Sequence, residues 1–132
     1  MALTVSIDRP SDLSLVTNVI HDCWFTTDGI VFHPTESALE IRFTRESSST
    51  SAAGKPLSGT REKKRQVPCS LWIYHIEDFD INDSQRVGRY DFNKLVYDRQ
   101  SREIVILTGV PIEIRARVKQ FLVTVQEHAS TA

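Results

Sequence analysis

The chain has 132 residues, of which 40% are apolar and 25% charged, and its formal net charge is -1. That length closes one hydrophobic core without disulfide or metal staples and leaves no room for a second domain, while the composition excludes wholesale disorder. A net charge near zero supplies no global field toward nucleic acid or an acidic membrane, so any such partner must be held by a local patch.

Residues 2–9, Ala-Leu-Thr-Val-Ser-Ile-Asp-Arg, contain neither a basic n-region nor an apolar core of signal-peptide length. No apolar run approaches the roughly 18 residues of a membrane span. The expectation is a cytoplasmic protein with no membrane partner. The two cysteines, Cys23 and Cys69, are far apart and outside any Cys-x-x-Cys pair, so they are expected to be buried free thiols.

Leu3, Val5 and Ile7 alternate with Thr4 and Ser6, the period of a short edge strand. Pro10 and Ser11 open a helix with Asp12 in its first turn. Leu13, Val16, Ile20 and Cys23, with Trp24 beside them, mark its apolar stripe. Asp28-Gly29 reads as a turn, followed by a short strand through Phe32 that His33-Pro34 ends. Leu39, Ile41 and Phe43 then alternate with Glu40, Arg42 and Thr44, giving a strand with one buried and one wetted face.

From 46 to 66 the composition turns to Ser, Thr, Ala, Gly, Lys and Arg, which cannot offset the entropy of ordering a backbone. The segment reads as a flexible insertion within a hairpin, in a single domain spanning 1–132. The strongest strand pattern runs from Cys69 to Ile76, with Leu71, Ile73 and His75 on one face and Trp72, Tyr74 and Ile76 on the other. Both faces are apolar, so it is expected to be central. Residues 78–88 read as a polar turn region, and 89–97 with 103–108 as a hairpin across Asp98-Arg99-Gln100-Ser101. Ile112, Ile114, Ala116 and Val118 give another strand. The tail fits a helix or a strand continuing past a bulge at Lys119-Gln120, with the β-branched Val123, Thr124 and Val125 favouring strand. The expected fold class is α+β: a predominantly antiparallel, meander-like sheet of about six strands with one N-terminal helix.

Chemistry-bearing residues are sparse. His21, Cys23 and His75 are soft or borderline metal ligands, but only the first two are close in sequence, and no metal is expected. Asp78-Phe79-Asp80-Ile81-Asn82-Asp83 begins like a calcium loop, then fails where Asp83 replaces the turn glycine and Arg89 the closing glutamate; Phe79 and Ile81 alternate with the acids, so the stretch reads instead as a half-buried strand end with its carboxylates in water. Neither a Gly-x-Ser-x-Gly elbow nor a glycine-rich phosphate cradle is present, and no cofactor is expected. Lys63, Lys64 and Arg65 form a basic cluster without a stacking aromatic, which disfavours nucleic acid.

One helix cannot cover two apolar faces of a central strand, so Trp72, Tyr74 and Ile76 are left as a surplus face. The leading expectation is therefore a non-catalytic module binding a protein partner, or itself as a homo-oligomer, through that face or the basic loop. The alternatives are a small enzyme or ligand binder using His21, Cys23, His75 and the acids Glu77, Asp78 and Asp80, and nucleic-acid binding through the loop. Because the cost of loop closure grows only logarithmically with length, replacing residues 49–63 by a short glycine-containing turn should shift the urea midpoint little. A cooperative loss of folding in that deletion would show that the segment packs into the core.

Overall fold

The computed structural model describes residues 4–21, 23–48, 64–83, 88–109 and 112–128. Strand β1 (Thr4–Ile7) leads through a 3-10 turn at Pro10–Asp12 into α1 (Leu13–Ile20). Then follow β2 (Trp24–His33), β3 (Ala38–Ser48), β4 (Lys64–Ile73), β5 (Ile76–Asn82), β6 (Arg89–Asp98), β7 (Glu103–Thr108), β8 (Glu113–Val118) and β9 (Val123–Glu127). The sheet is antiparallel with nine strands, not about six, in the order β1-β9-β4-β3-β2-β6-β7-β8-β5. Two meander runs, β2-β3-β4 and β6-β7-β8, survive within it.

The extra strands arise where polar composition masks pairing. Acidic Asp78 and Asp80 lie on β5, which pairs with β8 and covers much of the expected turn region. At the expected insertion, β3 and β4 pair as far as Ser48↔Lys64, so ladder bonds order both ends of the polar stretch. Residues 49–63 lie outside the described residues. The helix stops at Ile20, and Trp24 begins β2 instead of extending the helical stripe. Consecutive Trp24, Phe25, Thr26 and Thr27 are strand formers, and their pairing overrides the helical spacing of Cys23. The tail is the strand β9, between β1 and β4.

The pattern 69–76 is one strand only as far as Ile73. His75 adopts a positive φ of 58°, and the chain bends from β4 into β5. The chain from β8 to β9 bends beside it: Tyr74 N–H donates to Leu122 O at 3.1 Å and Lys119 N–H to His75 O at 2.8 Å. Because β4 pairs with β9 and β5 with β8, these two bent ribbons carry the sheet around a corner, and its apolar face closes on itself. Ile76 thus leaves the Trp72 and Tyr74 face and is buried in the core, at 6% exposure.

One core results. Leu39, Ile41, Leu71, Ile73, Val123 and Val125 from one half of the sheet meet Tyr90, Phe92, Ile104, Ile106, Ile114 and Ala116 from the other. Helix α1 packs on β6, β1 and β9 and adds Val16 and Ile20 to it. On the remaining side the halves are joined by the short ladder Trp24↔Asp91, Phe25↔Tyr90 and Thr26↔Arg89, with Phe92 N–H donating to Cys23 O at 2.8 Å beside it. An aromatic cluster reinforces that joint, with Phe25 and Phe92 centroids 4.6 Å apart and Phe43 edge-on to Phe92 at 5.3 Å.

Asp28-Gly29 lies inside β2, at the register shift between Phe25 and Ile30, so the turn dipeptide is a β-bulge. A Cβ on Gly29 would stand 2.6 Å from the Arg42 carbonyl oxygen, whereas one on Gly109 would meet nothing within 4 Å. Gly29→Ala should therefore cost about 1–3 kcal/mol through forced backbone movement, and Gly109→Ala no more than about 0.5 kcal/mol. Urea unfolding of both variants checks this; equal midpoints would remove the close approach as the reason for Gly29.

Candidate functional site

Side chains on the outer face of β2, β3 and β4 converge on Glu40. The expectation that Glu40 is wetted is wrong: its residue exposure is 3%, although it alternates with the core residues Leu39 and Ile41. Its neighbours bury it. His33 Nε2 lies 2.8 Å from Oε1, Ser70 Oγ donates to Oε2 at 2.6 Å, and Arg42 Nε donates to Oε2 at 3.2 Å. Behind Ser70, His128 Nε2 lies 2.7 Å from Oγ. Cross-strand register explains this convergence, since Arg42 pairs with Ser70, Glu40 with Trp72, and Ser70 with Gln126 near His128.

The proton count fixes the direction of the network. Burial raises the Glu40 carboxyl, but hydrogen bonds from Ser70, His33 and Arg42 and the Arg42 charge outweigh it, leaving the group below its ordinary value. The ionised carboxylate only accepts, so Ser70 spends its single hydroxyl proton there. His128 must then carry hydrogen on Nε2 and donate to Ser70, and His33 likewise donates from Nε2 to Glu40. Ser70 is fully buried. Its proton points at Glu40 and its oxygen accepts from His128, so both sides of the hydroxyl are engaged inside the network.

Above the carboxylate lies an aromatic tier. The Trp72 ring stacks against Tyr74 at 5.9 Å with planes 10° apart, and His33 lies 4.9 Å from Trp72. Burial and then the Glu40 charge hold the Tyr74 hydroxyl above its ordinary range. Both aromatics are half-buried. On the same face Ser6 Oγ and Thr124 Oγ1 are bonded at 3.0 Å, beside Trp72 in the register.

The other candidates are dispersed. Cys23 and Cys69 are buried free thiols. Cys23 donates to the Val19 carbonyl at 3.4 Å. Burial, then the charges of Glu127 and Cys23, push the Cys69 thiol up to about 11, far from a reactive thiolate. His21 lies beside Cys23 at the end of α1. His75 is exposed at the bend, beyond the end of the strand that carries Cys69. Among the described residues no three His, Cys, Asp or Glu side chains gather to hold a metal ion. Glu77 pairs with Arg102 and Arg117, and Asp78 with Arg117. Asp80 is exposed opposite Arg115 on β8. Lys63 lies outside the described residues, and Lys64 and Arg65 are placed by backbone alone, on β4.

Glu40, Ser70 and His128 were missed by sequence reasoning. The hairpin across 34–37 could have signalled His33 near Glu40, since two-strand pairing sets them diagonal to one another. Nothing local signals Ser70 or His128, which arrive through long-range register. No family model, no curated protein and no solved structure matches the chain. No helix among the described residues is long and apolar enough to cross a membrane.

A carboxyl lowered by folding contributes stability above its ordinary 4.5, and that contribution is lost as pH falls through the folded value. Glu40→Gln should therefore lower stability at neutral pH by about 1–3 kcal/mol. It should also remove part of the stability decline that wild type shows below pH 4.5. Urea midpoints across an acid series check both signs; an unchanged acid slope would mean Glu40 is not the titrating group.

Proposed function

We propose that the chain is a non-catalytic cytoplasmic module that binds another protein through the outer face centred on Trp72 and Tyr74. One observation carries this reading: the His33–Trp72–Tyr74 tier is half-exposed yet held in place by ring contacts and by Glu40. Large aromatics fixed before binding lose little conformational freedom on contact, and Trp, Tyr and Arg dominate interface energies. Arg42, with a side chain 60% exposed, and the Ser6–Thr124 pair supply a polar rim.

The stack also favours protein over single-stranded nucleic acid. Trp72 has ring neighbours in both His33 and Tyr74, so its surface is engaged by its own chain instead of standing open as a platform for a base.

Trp72→Ala and Tyr74→Ala should keep the fold, because both side chains lie outside the core, while weakening partner capture from native extract by about thirtyfold or more. Light scattering on wild type and variants separates self-association from a foreign partner. Capture and oligomeric state identical in wild type and both folded variants would sink this reading.

A further inference from the structure

Phe32 and Phe79 sit on the core-facing side of the sheet without being covered. Phe32 pairs with the buried Leu39 and Phe79 with the buried Ala116, and directly opposed residues share a face, so both side chains belong to the inward side. Yet each residue is 37% exposed. Their ring centroids are 4.9 Å apart, and Ile30 and Ile81, two residues away on the same face, are only partly buried. Backbone pairing explains the exposure. β5 ends the strand order, so its second edge has no neighbour among the described residues. β2 pairs with β6 only from Trp24 to Thr26, and its ladder from Ile30 to His33 is with β3 alone. Two open edges therefore flank the phenylalanines, pinned together at one end where Ile76 N–H donates to Ser37 O at 2.9 Å.

We propose that this margin takes an extended segment of a protein partner, added as a strand to the open edge of β5, with apolar side chains over Phe32 and Phe79 and basic ones beside Asp80. An open edge offers main-chain bonds at every second residue, and the apolar side chains beside it select the residues that alternate inward. β5 spans seven residues, a full strand's length. Leu15 shows the contrast: at 51% it is more exposed, but it stands on α1, whose backbone bonds are satisfied within the helix. The outward residues of β5 set the sign of the partner. Arg117 offsets Asp78, while Arg115, opposite Asp80, is bonded to Glu113 and Glu103. Both arginines lie on β8, so a strand on the other edge of β5 would have the acids as its direct neighbours. The same acids argue against a second copy of this chain as the occupant. Two β5 strands paired about Phe79 would set Asp78 of one copy against Asp80 of the other, and like charges directly opposed are destabilising.

Phe32 points to the opposite side of β2 from His33, so this surface and its test are independent of the Trp72 reading. The full chain is titrated with an acetylated octapeptide alternating valine and lysine, while amide shifts and amide exchange are followed by NMR. Two comparison peptides carry glutamate in place of lysine, or proline at the two central positions. The expected result is saturable one-to-one shifts centred on Ile76–Asn82 and residues 30–33, with slowed exchange along β5. The glutamate and proline peptides should each bind about tenfold or more weakly, through charge and through lost main-chain donors respectively. Phe79→Ala should weaken the lysine peptide about tenfold, and Leu15→Ala should leave it unchanged. Asp80→Lys, which removes no apolar packing, is the second variant: it should weaken the lysine peptide and strengthen the glutamate one. Shifts that never saturate, that map elsewhere, or that the proline peptide reproduces at equal strength would overturn the assignment. A dimer in light scattering that shows the same β5 shifts without peptide would overturn it too, by giving the margin to a second copy.

Discussion

Everything in this structure depends on two ribbons bending together. Among the described residues nine strands offer a long apolar face, and the one eight-residue α-helix cannot cover it. The bend at Tyr74-His75, bonded to the corner between Lys119 and Leu122, turns that face onto itself. Each half of the sheet then serves as the other's covering layer, and the helix is left to fill the side where β1, β9 and β6 approach it. Apolar burial of the usual worth per unit area is thereby reached without a second helical layer.

That closure also decides which side chains remain for function. Before the bend, alternation places Trp72 and Tyr74 outward; after it, Ile76 turns inward. The surplus apolar face expected from sequence therefore shrinks to a pair of aromatics on an otherwise polar surface. That surface is organised by Glu40, whose charge is retained although it is buried because Ser70, His33 and Arg42 all donate to it. A buried carboxylate so satisfied contributes less to net stability than to fixing one arrangement of four strands, because any slip in register would strand it without partners.

Period-two alternation made β1, β3, β6 and β8 legible, since apolar side chains fall at every second position, while β7 was legible as a short run apolar on both sides, with Ile104, Val105 and Ile106 all buried. It failed where the period was overridden. Cys23 and Trp24 continue the spacing of α1, yet cross-strand pairing claims Trp24 for β2. β5 was half legible: Phe79 and Ile81 alternate with the acids as in a strand end, but Glu77, Asp78 and Asp80 also make this edge strand look like a turn, and charged edges are how sheets discourage unwanted pairing. The Glu40 network was illegible for another reason: its members come from residues 33, 40, 42, 70 and 128, and only long-range register brings them together. A single sequence carries hydrophobic period locally and register hardly at all.

The pairing of β1 with β9 joins the first and last strands among the described residues, with Ser6 and Thr124 bonded across 118 residues. On the ribosome, Thr4–Ile7 emerges before the other strands of this sheet, but its ladder with β9 cannot form until Val123–Glu127 follows. Until then the flank of β4 that β9 will occupy is an open template, and Leu71 and Ile73 have yet to meet Val125 and Val123. Topologies dominated by such distant pairings fold slowly, because loop closure must precede the contacts that reward it. The maturing chain is thus vulnerable to mispairing until β9 has emerged, and completion of this core waits on it.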